Sequence, residues 1–134
     1  MTIYVDSSAL LKRYIDEDDS DDFNEILTAD ERWLSSRITW LEVWRNLGRR
    51  LGASVVAPAR SGFSTDWRRM LVVEIDARLV EHAGQISDLT GARSLDALHL
   101  AALQRAGPNQ IPLVTADLRQ AQSARLMGWT VLGA

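Results

Sequence analysis

The chain has 134 residues, 46% of them hydrophobic and 25% charged, with 15 basic against 18 acidic side chains and a net charge of -3. This length and balance fit one globular, soluble domain over 1–134 and exclude a wholly basic nucleic-acid binder, although local basic patches remain open. The absence of cysteine removes disulfides, thiolate zinc sites and thiol nucleophiles together.

In chain order, Thr2–Val5 reads as a short buried strand, and Asp6-Ser7-Ser8 caps a helix whose apolar positions are Ala9, Leu10, Leu11 and Tyr14. Asp16 to Asp22 is an acidic stretch, read as a solvated turn plus acids at the start of a helix with Phe23, Ile26 and Leu27 on its apolar face. Trp33-Leu34-Ser35 is a second strand. A helix over Arg37 to Leu51 follows, with Trp40, Trp44, Leu47 and Leu51 in one stripe and Gly52 as its stop. Another helix is expected over Ala57 to Arg69, opened by Pro58 and interrupted by Gly62. Leu71 to Ile75 is a third strand, and Asp76 caps a helix carrying Leu79, Val80, Ala83, Ile86 and Leu89. Ser94 is expected to cap a helix over Leu95 to Ala106, apolar on nearly every side and therefore buried, ended by Gly107-Pro108-Asn109. Leu113 to Thr115 is a fourth strand, Asp117 opens a short amphipathic helix, and Trp129 to Leu132 is a fifth strand.

Alternating strands and helices predict an α/β fold, a three-layer α/β/α sandwich around a parallel sheet. Right-handed crossovers narrow the topologies, and strand order 3-2-1-4-5 is the expected one. That order sets strands 1 and 4 side by side at the reversal point, with Asp6 and Asp117 in one crevice at the carboxyl ends of the strands. The N-terminus lacks the basic and apolar segments of a signal peptide and no apolar run approaches a membrane span, so the cytoplasm is the expected compartment.

Four acids, Asp6, Glu42, Asp96 and Asp117, each lie beside a helix start or a strand end. Taken singly, Asp6 and Asp117 have an ordinary explanation as helix caps, and Asp96 as a first-turn anion that can also pair with His99. Glu42 shares a face with Arg45, Asn46 and Arg49, where surface ion pairing competes. Brought together, the four make an all-oxygen pocket whose charge calls for a hard divalent cation.

These segments resemble a known family. Val-Asp-Ser-Ser-Ala-Leu-Leu-Lys (Val5 to Lys12) is similar to the opening motif of PIN-domain proteins, in particular the VapC-type toxins of bacterial toxin–antitoxin pairs. Thr39-Trp-Leu-Glu42, Ser94-Leu-Asp-Ala-Leu-His-Leu-Ala and Thr115-Ala-Asp117 resemble the later motifs, in the right order along essentially the whole chain. The resemblance implies a Mg²⁺- or Mn²⁺-dependent endoribonuclease with Asp6, Glu42, Asp96 and Asp117 as its acidic site. Thr115 and Ser7 or Ser8 resemble positions whose hydroxyls support it. Asp6 and Asp96 are expected as direct ligands, Glu42 as a ligand or as the residue orienting water, and Asp117 as acting through water or a second ion. The resemblance further implies a homodimer and a VapB-type antitoxin partner, for which Trp33, Trp40, Trp44 and Trp67 offer anchors.

An RNA backbone requires positive contacts. Arg13, Arg37, Arg45, Arg93 and Arg119 lie near the motifs in sequence and are the RNA-contacting candidates. Other readings of the same residues are a nuclease acting on DNA and a PIN-like binding module without activity. A phosphoacceptor receiver domain requires a lysine late in the chain, and the only lysine is Lys12.

Overall fold

The computed structural model describes residues 1–30, 32–107 and 111–134. The elements run β1 (Thr2–Val5), α1 (Ser7–Leu11), α2 (Ser20–Thr28), β2 (Arg32–Ser36), α3 (Arg37–Arg50), α4 (Ala53–Trp67), β3 (Leu71–Val73), α5 (Ala77–Thr90), α6 (Ser94–Ala106), β4 (Leu113–Val114), α7 (Leu118–Leu126) and β5 (Val131–Leu132). All strand pairings are parallel, in the order β3-β2-β1-β4-β5. The three-layer sandwich and its strand order are those expected from the alternating pattern.

Central β1 shows why the sheet is covered on both faces. Ile3, Tyr4 and Val5 are all fully buried, as an apolar run in a parallel strand must be. Successive side chains of a strand point to opposite faces. Ile3 and Val5 therefore join the layer of α1 to α4, with Leu10, Leu27, Val43, Leu47 and Phe63. Tyr4 joins the opposite layer of α5 to α7, with Leu79, Ile86, Leu100, Leu103 and Leu113. Each fully buried side chain of this size contributes roughly 1.5–3 kcal/mol.

Local chemistry sets several helix starts. Asp6 accepts from the Ala9 amide, Asp76 from the Leu79 amide, and Asp117 from the Arg119 and Gln120 amides. The expected cap at Ser94 is displaced. Arg93 holds the N-cap position without a side-chain cap bond, and Ser94 is the first helical residue. Pro108 and Asn109, expected to end α6, lie outside the described residues.

The largest departure is α4. It starts at Ala53, earlier than expected, and runs through Pro58 and Gly62 without interruption. Gly52 is its N-cap residue, whereas α3 stops at Arg50. The helix lies on the outside and buries only Phe63 among its own residues, so the carbonyl that Pro58 cannot serve faces water and the loss is small. Strand β3 is shorter than expected, ending at Val73.

The Trp40 and Trp44 rings stack with centroids 5.0 Å apart and planes 16° from parallel. Arg60 of α4 lies over the Trp44 ring at 4.2 Å and donates to the Trp44 carbonyl, fastening α4 to α3. Trp33 instead donates its Nε1–H to the Leu27 carbonyl, and Trp67 packs on Phe63. The acidic stretch is tied down at its start, with Glu17 pairing with Lys12 and Arg50 and Asp19 pairing with Lys12. Among the described residues no helix is long and apolar enough to cross a membrane.

Candidate active site

The strand order places Asp6, after β1, next to the segment after β4 that carries Thr115 and Asp117. This is the point where the chain's order across the sheet reverses, the usual place for a site in an open α/β sheet. Asp96 enters from the first turn of α6 and Glu42 from the second turn of α3.

Asp6 is only 4% exposed. Its Oδ1 accepts from the Ser8 hydroxyl at 2.7 Å and the Ala9 amide at 3.1 Å, and its Oδ2 accepts from the Thr115 hydroxyl. Ser8 and Thr115 are themselves locked. The Ala116 amide donates to Ser8 Oγ at 2.9 Å, and the Asp117 amide donates to Thr115 Oγ1 at 3.0 Å. Two chain segments 109 positions apart are thus stitched together by one carboxylate and two hydroxyls. Ser7 is half-buried and has no side-chain bond of this kind among the described residues.

Burial pushes the Asp6 carboxyl up from its ordinary value, against the charge of His99 and the hydrogen bonds from Thr115, Ser8 and Ala9. Asp96 is also raised, first by burial and next by the charge of Asp117, with Asp6 and Glu42 adding to it and His99 opposing. Asp117, Asp6 and Glu42 thus all lie close enough to act on the Asp96 carboxyl.

The pairing of Glu42 differs from both expectations. His99 pairs with Glu42 rather than with Asp96, its Nε2 lying 2.8 Å from Glu42 Oε1, while its Nδ1 is 2.8 Å from the Tyr4 hydroxyl. Tyr4 is fully buried and His99 is 3% exposed, so only Glu42 of the three reaches solvent. Burial alone would lower the His99 pKa, but the hydrogen bond and charge of Glu42, with Asp6 and Asp96, raise it overall. Tyr4 was passed over in the sequence, and His99 was read there only as a partner for Asp96. The only signal was the position of His99 three residues after Asp96, which a helix turns to a neighbouring face.

The arginines divide into two groups. Arg13 is bound to Asp66 at 2.8 Å and Arg37 to Glu74, so both already have acidic partners. Arg45, Arg93 and Arg119 are exposed and have no ion pair among the described residues.

The donor set of four carboxylates with supporting hydroxyls is the chemistry of a hard divalent ion such as Mg²⁺ or Mn²⁺. Among the described residues, however, no three His, Asp or Glu side chains are already drawn together as a finished ion cage. The oxygen chemistry of the four side chains fits such an ion.

Comparison with known proteins agrees with this geometry. The family model of the PIN domain matches residues 3–126. Ribonuclease VapC46 of Mycobacterium tuberculosis is 32% identical over 130 residues, spanning 97% of this chain and 95% of the relative. Ribonuclease VapC45 of the same species is 28% identical over 134 residues, spanning 96% and 93%. Two solved structures share the fold at lower identity. The VapC20 toxin of Mycobacterium tuberculosis has TM-score 0.71 and 20% identity, covering 89% of this chain and 92% of that one. A toxin–antitoxin complex from Klebsiella pneumoniae has TM-score 0.72 and 17% identity, covering 98% and 96%. The chain belongs to the PIN-domain family, among its VapC-type members.

Proposed function

We propose that residues 1–134 work as one PIN-domain unit, a divalent-metal-dependent endoribonuclease that hydrolyses RNA phosphodiester bonds and forms the toxin half of a VapBC-type toxin–antitoxin pair. The observation that carries this reading is the buried Asp6 carboxylate, pinned by Ser8, Thr115 and the Ala9 amide where β1 meets β4, in the electrostatic company of Asp96, Asp117 and Glu42. The names of the curated relatives, each a ribonuclease, point to the same chemistry.

In this reading Asp6 and Asp96 hold the ion, with Asp117 and Glu42 completing the acidic site. When bound, the ion neutralises charge on the phosphate and acidifies a water for attack. The chain supplies the positioning. Ser8 and Thr115 fix the plane of the Asp6 carboxylate, and His99 fixes one oxygen of Glu42, leaving the other free to face substrate or water. The Asp117 backbone amide and the Asp6 carboxylate share Thr115 Oγ1 as a partner, which couples the two strand ends.

A VapB-type antitoxin and a homodimer belong to the same proposal. Support comes from the solved relatives described as a toxin–antitoxin complex and as VapBC2 of Rickettsia felis. On this chain, Leu41 on α3 and Val55 on α4 are half exposed, apolar surface available to a partner.

The test is Asp6→Asn. Asparagine keeps an oxygen for Ser8 and the Ala9 amide and turns its amide group toward Thr115, so the fold is retained while the charge is lost. Purified wild-type protein is expected to cleave single-stranded RNA with Mg²⁺ and to stop with EDTA, and folded Asp6→Asn is expected to be inactive. Cleavage by folded Asp6→Asn at the wild-type rate removes Asp6 from the chemistry. Parallel assays on DNA of the same sequence decide the polymer.

A further inference from the structure

Beside Asp96 lies a polar cavity of about 300 Å³, bounded by the turn between α5 and α6, the start of α6 and the first turns of α7. Arg93 and Arg119 wall it from opposite elements, with Thr90, Gly91, Ala92, Gln122 and Ser123 in the rest of its lining. We propose that this cavity is a nucleotide subsite, in which Arg93 and Arg119 grip a phosphate of the RNA strand adjacent to the one being cut. This inference rests on the ribonuclease reading and adds to it where the strand runs.

Three observations carry it. The first is the selection among arginines. Of the five near the motifs, Arg13 and Arg37 are committed to Asp66 and Glu74. Two of the remaining three frame this one cavity, and neither guanidinium has an ion pair among the described residues. The second is continuity, because Asp96 belongs both to the cavity wall and to the acidic cluster. The cavity thus combines a carboxylate of the proposed reacting centre with two arginines in its lining. A polyanion crossing a chain of net charge -3 requires such fixed positive points, and guanidinium groups match phosphate oxygens two at a time.

The third is rigidity. Gly91 adopts φ +75, a conformation that favours glycine, and its amide donates to the Ser87 carbonyl at 2.8 Å. The Ser87 hydroxyl donates to the Ala92 carbonyl at 2.8 Å, and the Ala92 amide donates to Thr90 Oγ1 at 3.1 Å. On the far wall, Gln120 of α7 donates to the Asp96 carbonyl at 3.3 Å. The cavity walls are therefore held before any ligand arrives, which lowers the ordering cost of binding.

The experiment compares wild type with Arg93→Gln, Arg119→Gln, the double variant, and Arg78→Gln as a control of equal charge change on α5, away from the cavity. Steady-state cleavage of a fluorescent single-stranded RNA is measured across a salt series. Each cavity variant is expected to raise KM about tenfold with kcat within about threefold, as for loss of one charge-assisted contact. The double variant is expected to flatten the log–log salt dependence by roughly 1.4, about 0.7 per contact. Arg78→Gln is expected to match wild type. Equal KM values for cavity variants and Arg78→Gln overturn the subsite. A second arm titrates adenosine 5′-monophosphate, and separately inorganic phosphate, into wild-type protein by NMR. Shifts confined to the Gly91, Arg93, Arg119 and Ser123 amides support the subsite even if RNA is not cleaved, in which case the ribonuclease reading alone falls. No shift at these amides with about 10 mM of either probe overturns the subsite whatever the cleavage result.

Discussion

Tyr4→Phe isolates one hydrogen bond in the centre of the molecule. The ring stays fully buried in the β1 layer and keeps its edge-on contact with His99, 5.9 Å between centroids at 82°. Only the hydroxyl is lost, and with it the 2.8 Å bond to His99 Nδ1. That bond exists in either protonation state of the ring, since the hydroxyl donates to neutral imidazole and accepts from imidazolium. Deleting it leaves a ring nitrogen without a partner in a side chain 3% exposed, a loss of about 1–3 kcal/mol. For 134 residues, an unfolding entropy of about 2.1 cal/mol/K per residue gives roughly 280 cal/mol/K, so Tm falls by about 4–11 °C. Calorimetry of the metal-free protein measures this directly. A double-mutant cycle with His99→Gln assigns the loss to the pair and not to the Tyr4 environment at large. A Tm within 1 °C of wild type refutes the reasoning, because it shows that the hydroxyl carries no net weight at His99.

Three further outcomes are expected. Mg²⁺ raises the Tm of the wild-type protein, by the equivalent of about 2.7 kcal/mol at a hundred times the dissociation constant, and a flat Tm across the titration removes the ion from the acidic cluster. Without metal, stability falls as pH rises from 5 to 8. Asp6 and Asp96 hold protons in the folded state above the ordinary 3.8, so their contribution is lost as pH climbs through the raised values. His99 acts in the same sense, stabilising below 6.5 and losing that contribution as pH rises through its raised folded pKa. A Tm in EDTA that increases from pH 5 to pH 8 contradicts this sign. Gly133→Ala is destabilising by about 1–3 kcal/mol, because φ is +96 and a Cβ there meets Phe23 Cε1 at 2.5 Å and the Thr115 carbonyl at 2.9 Å. Chemical denaturation of that variant at wild-type stability disproves the crowding argument.

Features determined within a few residues were legible in the sequence. The caps at Asp6, Asp76 and Asp117 bond to amides two or three positions on, and the strand order follows from alternation plus crossover handedness. Helix α4 was misread at its start because an outer helix with one deeply buried residue carries little periodic signal, and Pro58 then dominates the local pattern. At the site, the positions of the four acids were readable from the motifs, but their partners were not. His99 meets Glu42 across 57 positions, Arg13 meets Asp66 across 53, and Arg37 meets Glu74 across 37. Such pairings depend on how helices cross over the sheet, which no local pattern encodes. They also decide which arginines are left for a substrate.

The stacked indoles of α3 give the molecule an optical consequence of its own. Trp40 and Trp44 lie two residues to either side of Glu42, with nearly parallel rings at 5.0 Å. Transitions so close and so aligned couple, and the coupled pair absorbs circularly polarised light differently from two isolated rings. Any change of indole rotamer that accompanies filling of the acidic cluster alters their mutual angle. Circular dichroism in the indole bands can thus follow events at Glu42 in the native chain, without a dye or an added label.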